Sequence, residues 1–152
     1  MDIKFVNPFL DAFLNVMPQL GFTNVEKKSL SVKGKNIKSI GVMLIVGLIG
    51  DIKGNVAYGI DMESAKKIAS TMMMGMPVTE LDEMAKSAIS ELSNMITANA
   101  STNLANMGTN INISTPTLMV GTEFEAKMNT DKVLCVELLV DGNLIEVNIA
   151  FE

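Results

Sequence analysis

The sequence predicts an α+β fold of two layers, in which two related helix-plus-strands halves share one sheet with long helices packed on it. Three observations carry this expectation. Elements follow the order helix, strands, helices, strands; Gly21 to Gly34 and Gly108 to Gly121 are both thirteen residues apart; and an apolar hairpin follows each of these segments. Asn15-Val16-Met17 is matched by Asn94-Met95-Ile96 in the second half. The halves would run over about residues 1–60 and 61–152 of one domain, 1–152. Glycine-punctuated strands can also match in spacing by chance. With 152 residues, 48% apolar and 19% charged, the chain can bury one proper core and is too apolar for disorder.

Asn7 followed by Pro8 reads as a helix start, a capping side chain before a residue whose missing N–H costs nothing in the first turn. Phe9, Phe13 and Met17, with Leu10 and Leu14 beside them, give that helix its apolar face, and Pro18 to Gly21 should end it. A strand pattern covers Asn24 to Val32, Gly34 marks a turn, and Ile37 to Ile49 with Asn55 to Ile60 predict a hairpin around Gly50, Asp51 and Gly54. Asp61 should cap a helix from Met62 to Met74, closed by Gly75 and Pro77. Thr79-Glu80-Leu81-Asp82 has the form of a capping box, and no breaker follows before Gly108, which predicts a helix about 40 Å long. Short strands near Asn110 to Ile113, Thr117 to Val120 and Glu123 to Met128 precede a last hairpin. Its strands, Lys132 to Val140 and Leu144 to Phe151, flank Asp141-Gly142-Asn143. Ile145, Val147, Ile149 and Phe151 alternate with Glu146 and Asn148, so the final strand should bury one face and wet the other.

Composition excludes several function classes. Twelve basic residues, all Lys, against seventeen acidic ones give a net charge of -5, which leaves no basic stripe for nucleic acid. The absence of His rules out a His-based triad, a His-containing zinc site and imidazole acid–base chemistry. No cluster of acids has the spacing of a metal site, so no metal ligands and no cofactor of its own are expected. Cys135 stands alone, cannot form an internal disulfide, and reads as a small buried apolar residue in a reducing cytoplasm. The longest apolar run, Ile40 to Gly50, is about half the ~20 residues a membrane helix needs. The N-terminal MDIKFVNPFLDAFLNVM sets acids among its apolar residues, unlike a signal peptide or anchor. A soluble cytoplasmic protein with no membrane partner is expected. Gly47, Gly50 and Gly54 lack the spacing of a phosphate-binding loop and read as hairpin punctuation. Met72, Met73, Met74 and Met76, among thirteen Met, read as core or dimer packing.

The long helix carries the informative pattern. At about 100° per residue, Leu81, Met84, Ala85, Ala88, Ile89, Leu92, Met95 and Ile96 fall in one core stripe. Beside it runs a second stripe of Ser87, Glu91, Asn94, Ala98 and Ser101, with Ser90 on its outer edge. Asn99 and Asn103 enter the apolar stripe, so a bend after Thr97 is expected. Periodicity alone is met by a plain solvated face. Chemistry adds more: a carboxylate and a carboxamide at i, i+3 project together, and a carboxamide can orient a water without taking its proton. Phosphoryl transfer needs such positioning more than a strong base.

Ser87-Ala-Ile-Ser-Glu91-Leu-Ser-Asn94-Met-Ile resembles the S-x-x-x-E-x-x-N signature of the CheC, CheX and FliY family of bacterial chemotaxis phosphatases, and Pro116 resembles the proline that follows it. Similarity to the CheX branch extends through Met72 to Met76, Leu81-Asp82-Glu83, and Thr115-Pro116-Thr117 up to Gly121, and thinly to Val6-Asn7. A single signature favours CheX over CheC, and the extra domain of FliY-like proteins is not expected. Ser93, Thr97 and Ala98 stand where relatives often have smaller residues on the docking helix.

The resemblance implies a CheC-like duplicated fold, a homodimer, and dephosphorylation of an aspartyl phosphate on a CheY-type response regulator. It implies that Asn94 orients the attacking water and that Glu91 pairs with the partner's lysine. Ser87, Ser90, Ala98 and Ser101 would meet the partner, which supplies Mg2+. The first half would be idle, since Asn15 matches Asn94 but Ala12 and Pro8 stand where Glu91 and Ser87 would be. The alternative is a noncatalytic module that docks on a response regulator or flagellar-switch component.

Overall fold

The computed structural model describes residues 3–152. Helix α1 spans Asn7–Val16; strands β1 to β4 span Val25–Lys33, Asn36–Lys38, Gly41–Gly50 and Gly54–Asp61. Helices α2, Met62–Met72, and α3, Glu83–Asn106, follow, and then β5 to β9 at Ile111–Ile113, Thr117–Gly121, Glu125–Lys127, Val133–Val140 and Asn143–Phe151. Seven strands form one antiparallel sheet in the order β1-β8-β9-β4-β3, with β5 and β6 sharing the far edge of β3. That order reads alike from both ends: β1 lies on β8 as β6 lies on β3, while β4 and β9 meet in the middle.

Alternation sends Val42, Leu44, Val46, Val56, Tyr58, Ile60, Val136, Ile145, Val147 and Ile149 to the helix-covered face. There they bury Phe9 and Phe13 of α1, Ile68 of α2, and Ile89, Leu92 and Ile96 of α3. The helices therefore form one layer on the sheet, as the sequence predicts.

The opposite face differs from expectation. The predicted strand Ile37 to Ile49 is broken at Ser39 and Ile40, and β2 leaves the main sheet to pair with β7 as a separate ribbon. Ile37, Ala126 and Met128 pack with Met43, Ala57, Val133 and Ala150 in a second core. Asn148, expected to be wet, is consequently 0% exposed. Its Nδ2 donates to the Ala57 carbonyl at 3.1 Å, and its Oδ1 has no partner. Cys135 is buried as expected, and burial pushes its thiol pKa up.

Helix ends also need correction. Asn7 is the first residue of α1 rather than its cap, Val6 holds the cap position, and no side chain caps this end. Met17 lies beyond α1 in a 3-10 turn, Met17–Leu20. Asp61 caps α2 as predicted, accepting from the Ser64 N–H at 2.8 Å. The capping box at Thr79 does not form: Asp82 caps α3 through the Ala85 N–H at 2.9 Å. The chain between α2 and Asp82 spends its residues on turns, so α3 has 24 residues and a length of about 36 Å. Met74 is 96% exposed and Met76 is also exposed, so these two are not core.

Asp141 and Gly142 turn β8 into β9 with φ of 49° and 81°, the pair of positive angles that a two-residue hairpin demands. The Asp141 carboxylate also accepts from the Asn24 N–H at 2.7 Å and from the Thr23 hydroxyl at 2.9 Å, tying the start of β1 to the hairpin. Hydrogen bonds from Thr23 and Asn24 hold its carboxyl below the usual 3.8. A depressed folded pKa means that the stabilisation is full above the unfolded value and is lost as pH falls through the folded one. Asp141→Asn, which keeps the backbone conformation accessible, should flatten the acid side of a urea-stability profile below about pH 4. A profile identical to the parent's would contradict this.

Candidate functional site on the long helix

α3 lies across the sheet with Ala85, Ile89, Leu92, Ser93, Ile96, Thr97, Ala100 and Leu104 buried. The helix is continuous from Glu83 to Asn106, with no break after Thr97. Its buried stripe drifts toward Ser93 and Thr97, whose hydroxyls donate within the helix to Ser90 O at 2.8 Å and Ser93 O at 2.7 Å. Asn103, one source of the expected bend, instead donates to Pro8 O at 2.9 Å and joins α3 to α1.

Thr97 is also 2.7 Å from the Tyr58 hydroxyl on β4. Because the Thr97 proton goes to Ser93 O, the phenol is the donor in this pair. Burial pushes the Tyr58 pKa well above its ordinary value, which keeps that donor protonated. The departures at Ser93 and Thr97 therefore face the sheet, away from any docking partner. Met84, expected in the core stripe, is 63% exposed because the buried face runs from Ala85 through Ser93 and Thr97, which turns Met84 toward the Glu91 side of α3.

This rotation aims the second stripe outward. Ser87, Ser90, Glu91 and Asn94 line an open groove of about 720 Å³ between α3 and β6, together with Glu83, Lys86, Thr115, Pro116, Leu118 and Val120. Glu91 is exposed and Asn94 half-buried, and neither side chain has a hydrogen bond or ion pair among the described residues. At i, i+3 their Cβ atoms are about 5–6 Å apart on one ridge. Ala98 is exposed one turn beyond, outside the groove. Ser101 is outside it too, with its hydroxyl 3.3 Å from the Ile111 carbonyl. Lys86 pairs with Glu83 at 3.4 Å on the surface, a contact that contributes little.

The groove's far wall was not legible apart from Pro116. Leu118 and Val120 reach the site only because β6 pairs with β3, a long-range register that no local pattern encodes. Between Leu48↔Ile113 and Ile45↔Thr117, three residues face two, so Ser114, Thr115 and Pro116 form a bulge. Ser114 bridges it, its Oγ accepting from the Gly47 N–H at 2.8 Å.

The ridge offers a carboxylate acceptor and a carboxamide, flanked by the Ser87 and Ser90 hydroxyls, with no histidine in the chain to activate them. No group of three or more Asp, Glu or Cys that could hold a metal ion is found among the described residues. No helix among them is long and apolar enough to cross a membrane.

Comparison with solved structures places this fold. A CheC-like superfamily protein from Shewanella sp. PV-4 superposes with a TM-score of 0.88 at 24% identity, over 100% of this chain and 99% of that one. The CheX in a CheX–CheY–BeF3–Mg2+ complex from Borrelia burgdorferi superposes with a TM-score of 0.81 at 30% identity, over 99% of each chain. The class is thus that of the CheC-like α+β proteins. Residues 42–139 match the family model of the chemotaxis phosphatase CheX. The CheY-P phosphatase CheX of Thermotoga maritima is 31% identical over 128 residues, 84% of this chain and 82% of that protein. The chain belongs to the CheX family of chemotaxis phosphatases.

Tyr58→Phe tests what holds the ridge in place. Removing the donor leaves a buried Thr97 oxygen short of a partner and should cost about 1–2 kcal/mol in chemical denaturation. A loss below about 0.3 kcal/mol would show that the bond does not anchor α3.

Proposed function

We propose that this chain hydrolyses the aspartyl phosphate of a CheY-type response regulator, with Asn94 entering the partner's active site to orient the attacking water. Glu91 pairs with the partner's lysine beside the phosphoryl group. The observation that carries this reading is the bare Glu91 and Asn94 pair on a ridge whose reverse side is locked to the sheet. Family membership supports it, as does the Borrelia burgdorferi complex of a CheX with CheY, BeF3 and Mg2+.

In this reaction the water oxygen bonds to phosphorus, the bond from phosphorus to the aspartyl oxygen breaks, and both water protons end on the released phosphate. Asn94 donates and accepts, so it fixes the water's direction without becoming charged. Mg2+ and the lysine that offset the phosphoryl charge belong to the regulator, and this chain brings no cofactor of its own. The cytoplasm, where such regulators work, is the compartment this reading requires.

The palindromic strand order supports an origin by duplication within one domain. α1 then carries the idle copy: Ala12 is buried where a carboxylate would stand, and Asn15 donates to Asn99 on α3 at 3.3 Å. The sheet ends at β1 and at β5 and β6, and open edges of this kind favour pairing between two copies. A homodimer should appear in light scattering at micromolar concentration; a monomer would count against it.

The deciding measurement is the decay of a phosphorylated CheY-type regulator with and without this protein. Asn94→Ala should lower kcat by about 100-fold or more while changing stability by less than about 0.5 kcal/mol, since the side chain makes no internal bond. Glu91→Ala should chiefly weaken docking. Unchanged decay with the parent protein, together with retained binding, would favour the noncatalytic module.

A further inference from the structure

We infer that Met84 is an apolar docking residue for the phosphorylated regulator, set on the same ridge as the working pair; the inference rests on the proposed function. Met84 precedes Glu91 by seven residues, about two turns, which places them about 20° apart around α3 and about 10 Å apart along it. Asn94 lies about 15 Å from Met84 along the axis. A specific interface covers about 800 Å² on each partner, a patch roughly 16 Å in radius. A regulator centred on the Glu91 and Asn94 pair therefore reaches Met84 toward the edge of that patch.

The rest of the ridge cannot supply apolar contact. Ser87, Glu91, Asn94 and Ala98 are small or polar, which suits close approach and leaves little area to bury. Met84, 63% exposed in the first turn of α3, is the large apolar side chain in line with them. Nothing in the fold requires it there, because the core stripe begins at Ala85. Methionine is enriched at protein interfaces and adapts to irregular apolar surfaces. The complementary feature is an apolar side chain on the regulator about 10 Å from the lysine that meets Glu91.

Steady-state dephosphorylation of the phosphorylated regulator separates this role from chemistry. Met84→Ala should raise KM by about tenfold with kcat within twofold of the parent, and Met84→Leu should restore KM. Thermal melting should be the same for all three proteins. An unchanged KM for Met84→Ala overturns the inference while leaving the phosphatase reading intact, and so does a fall in kcat alone. A parent protein without activity overturns that reading, and this inference with it.

Discussion

The hydrogen bond from Tyr58 to Thr97 ties the reverse face of α3 to the sheet, and the direction of the exposed ridge follows from how that face is seated. Apolar burial alone is forgiving: a stripe of Ile89, Leu92, Ile96 and Ala100 would lose little on turning the helix slightly. A buried hydrogen bond is directional, and breaking it strands a polar atom. Rotation by about 20° would carry a side-chain tip roughly 6 Å from the axis through about 2 Å. Positioning chemistry is sensitive to errors of about 1 Å. A directional bond one helical turn from Asn94, with Asn103 held to Pro8 O further along, thus adds a preferred rotation to a packing that apolar contact alone specifies loosely.

What the sequence made legible follows from local periodicity. The ridge of Ser87, Glu91 and Asn94 needs only a 3.6-residue repeat, and the hairpin at Asp141 and Gly142 needs only two residues suited to positive φ. The misreadings occur where remote segments decide. Asn148 alternates as an outward residue should, yet β2 and β7, themselves distant in sequence, fold over that face and bury it. Met84 lies at the margin of the apolar stripe, about 20° from Glu91, and the observed buried face, which takes in Ser93 and Thr97, leaves it outside. Thr79 and Asp82 both have capping side chains. Asp82 is used because the preceding residues are committed to turns, a tertiary matter that a four-residue motif cannot express.

The groove shows how the same strand pattern is spent differently at the two edges of the sheet. β1 runs for nine residues along β8, whereas the opposite edge is divided into strands of three and five residues around Ser114 to Pro116. Proline has no N–H to give to a ladder, so pairing lapses there, and the Ser114 hydroxyl substitutes at Gly47 for part of what is lost. This interruption faces the half of α3 that carries Asn94. The sheet thus gives up ladder bonds along the wall of the groove that Glu91 and Asn94 line. A helix that stands proud of a shallow groove can be inserted into another protein, whereas a cleft can only receive. With neither histidine nor arginine in the chain, what the ridge itself offers is a carboxylate and a neutral carboxamide free of internal bonds on a helix fixed to the sheet.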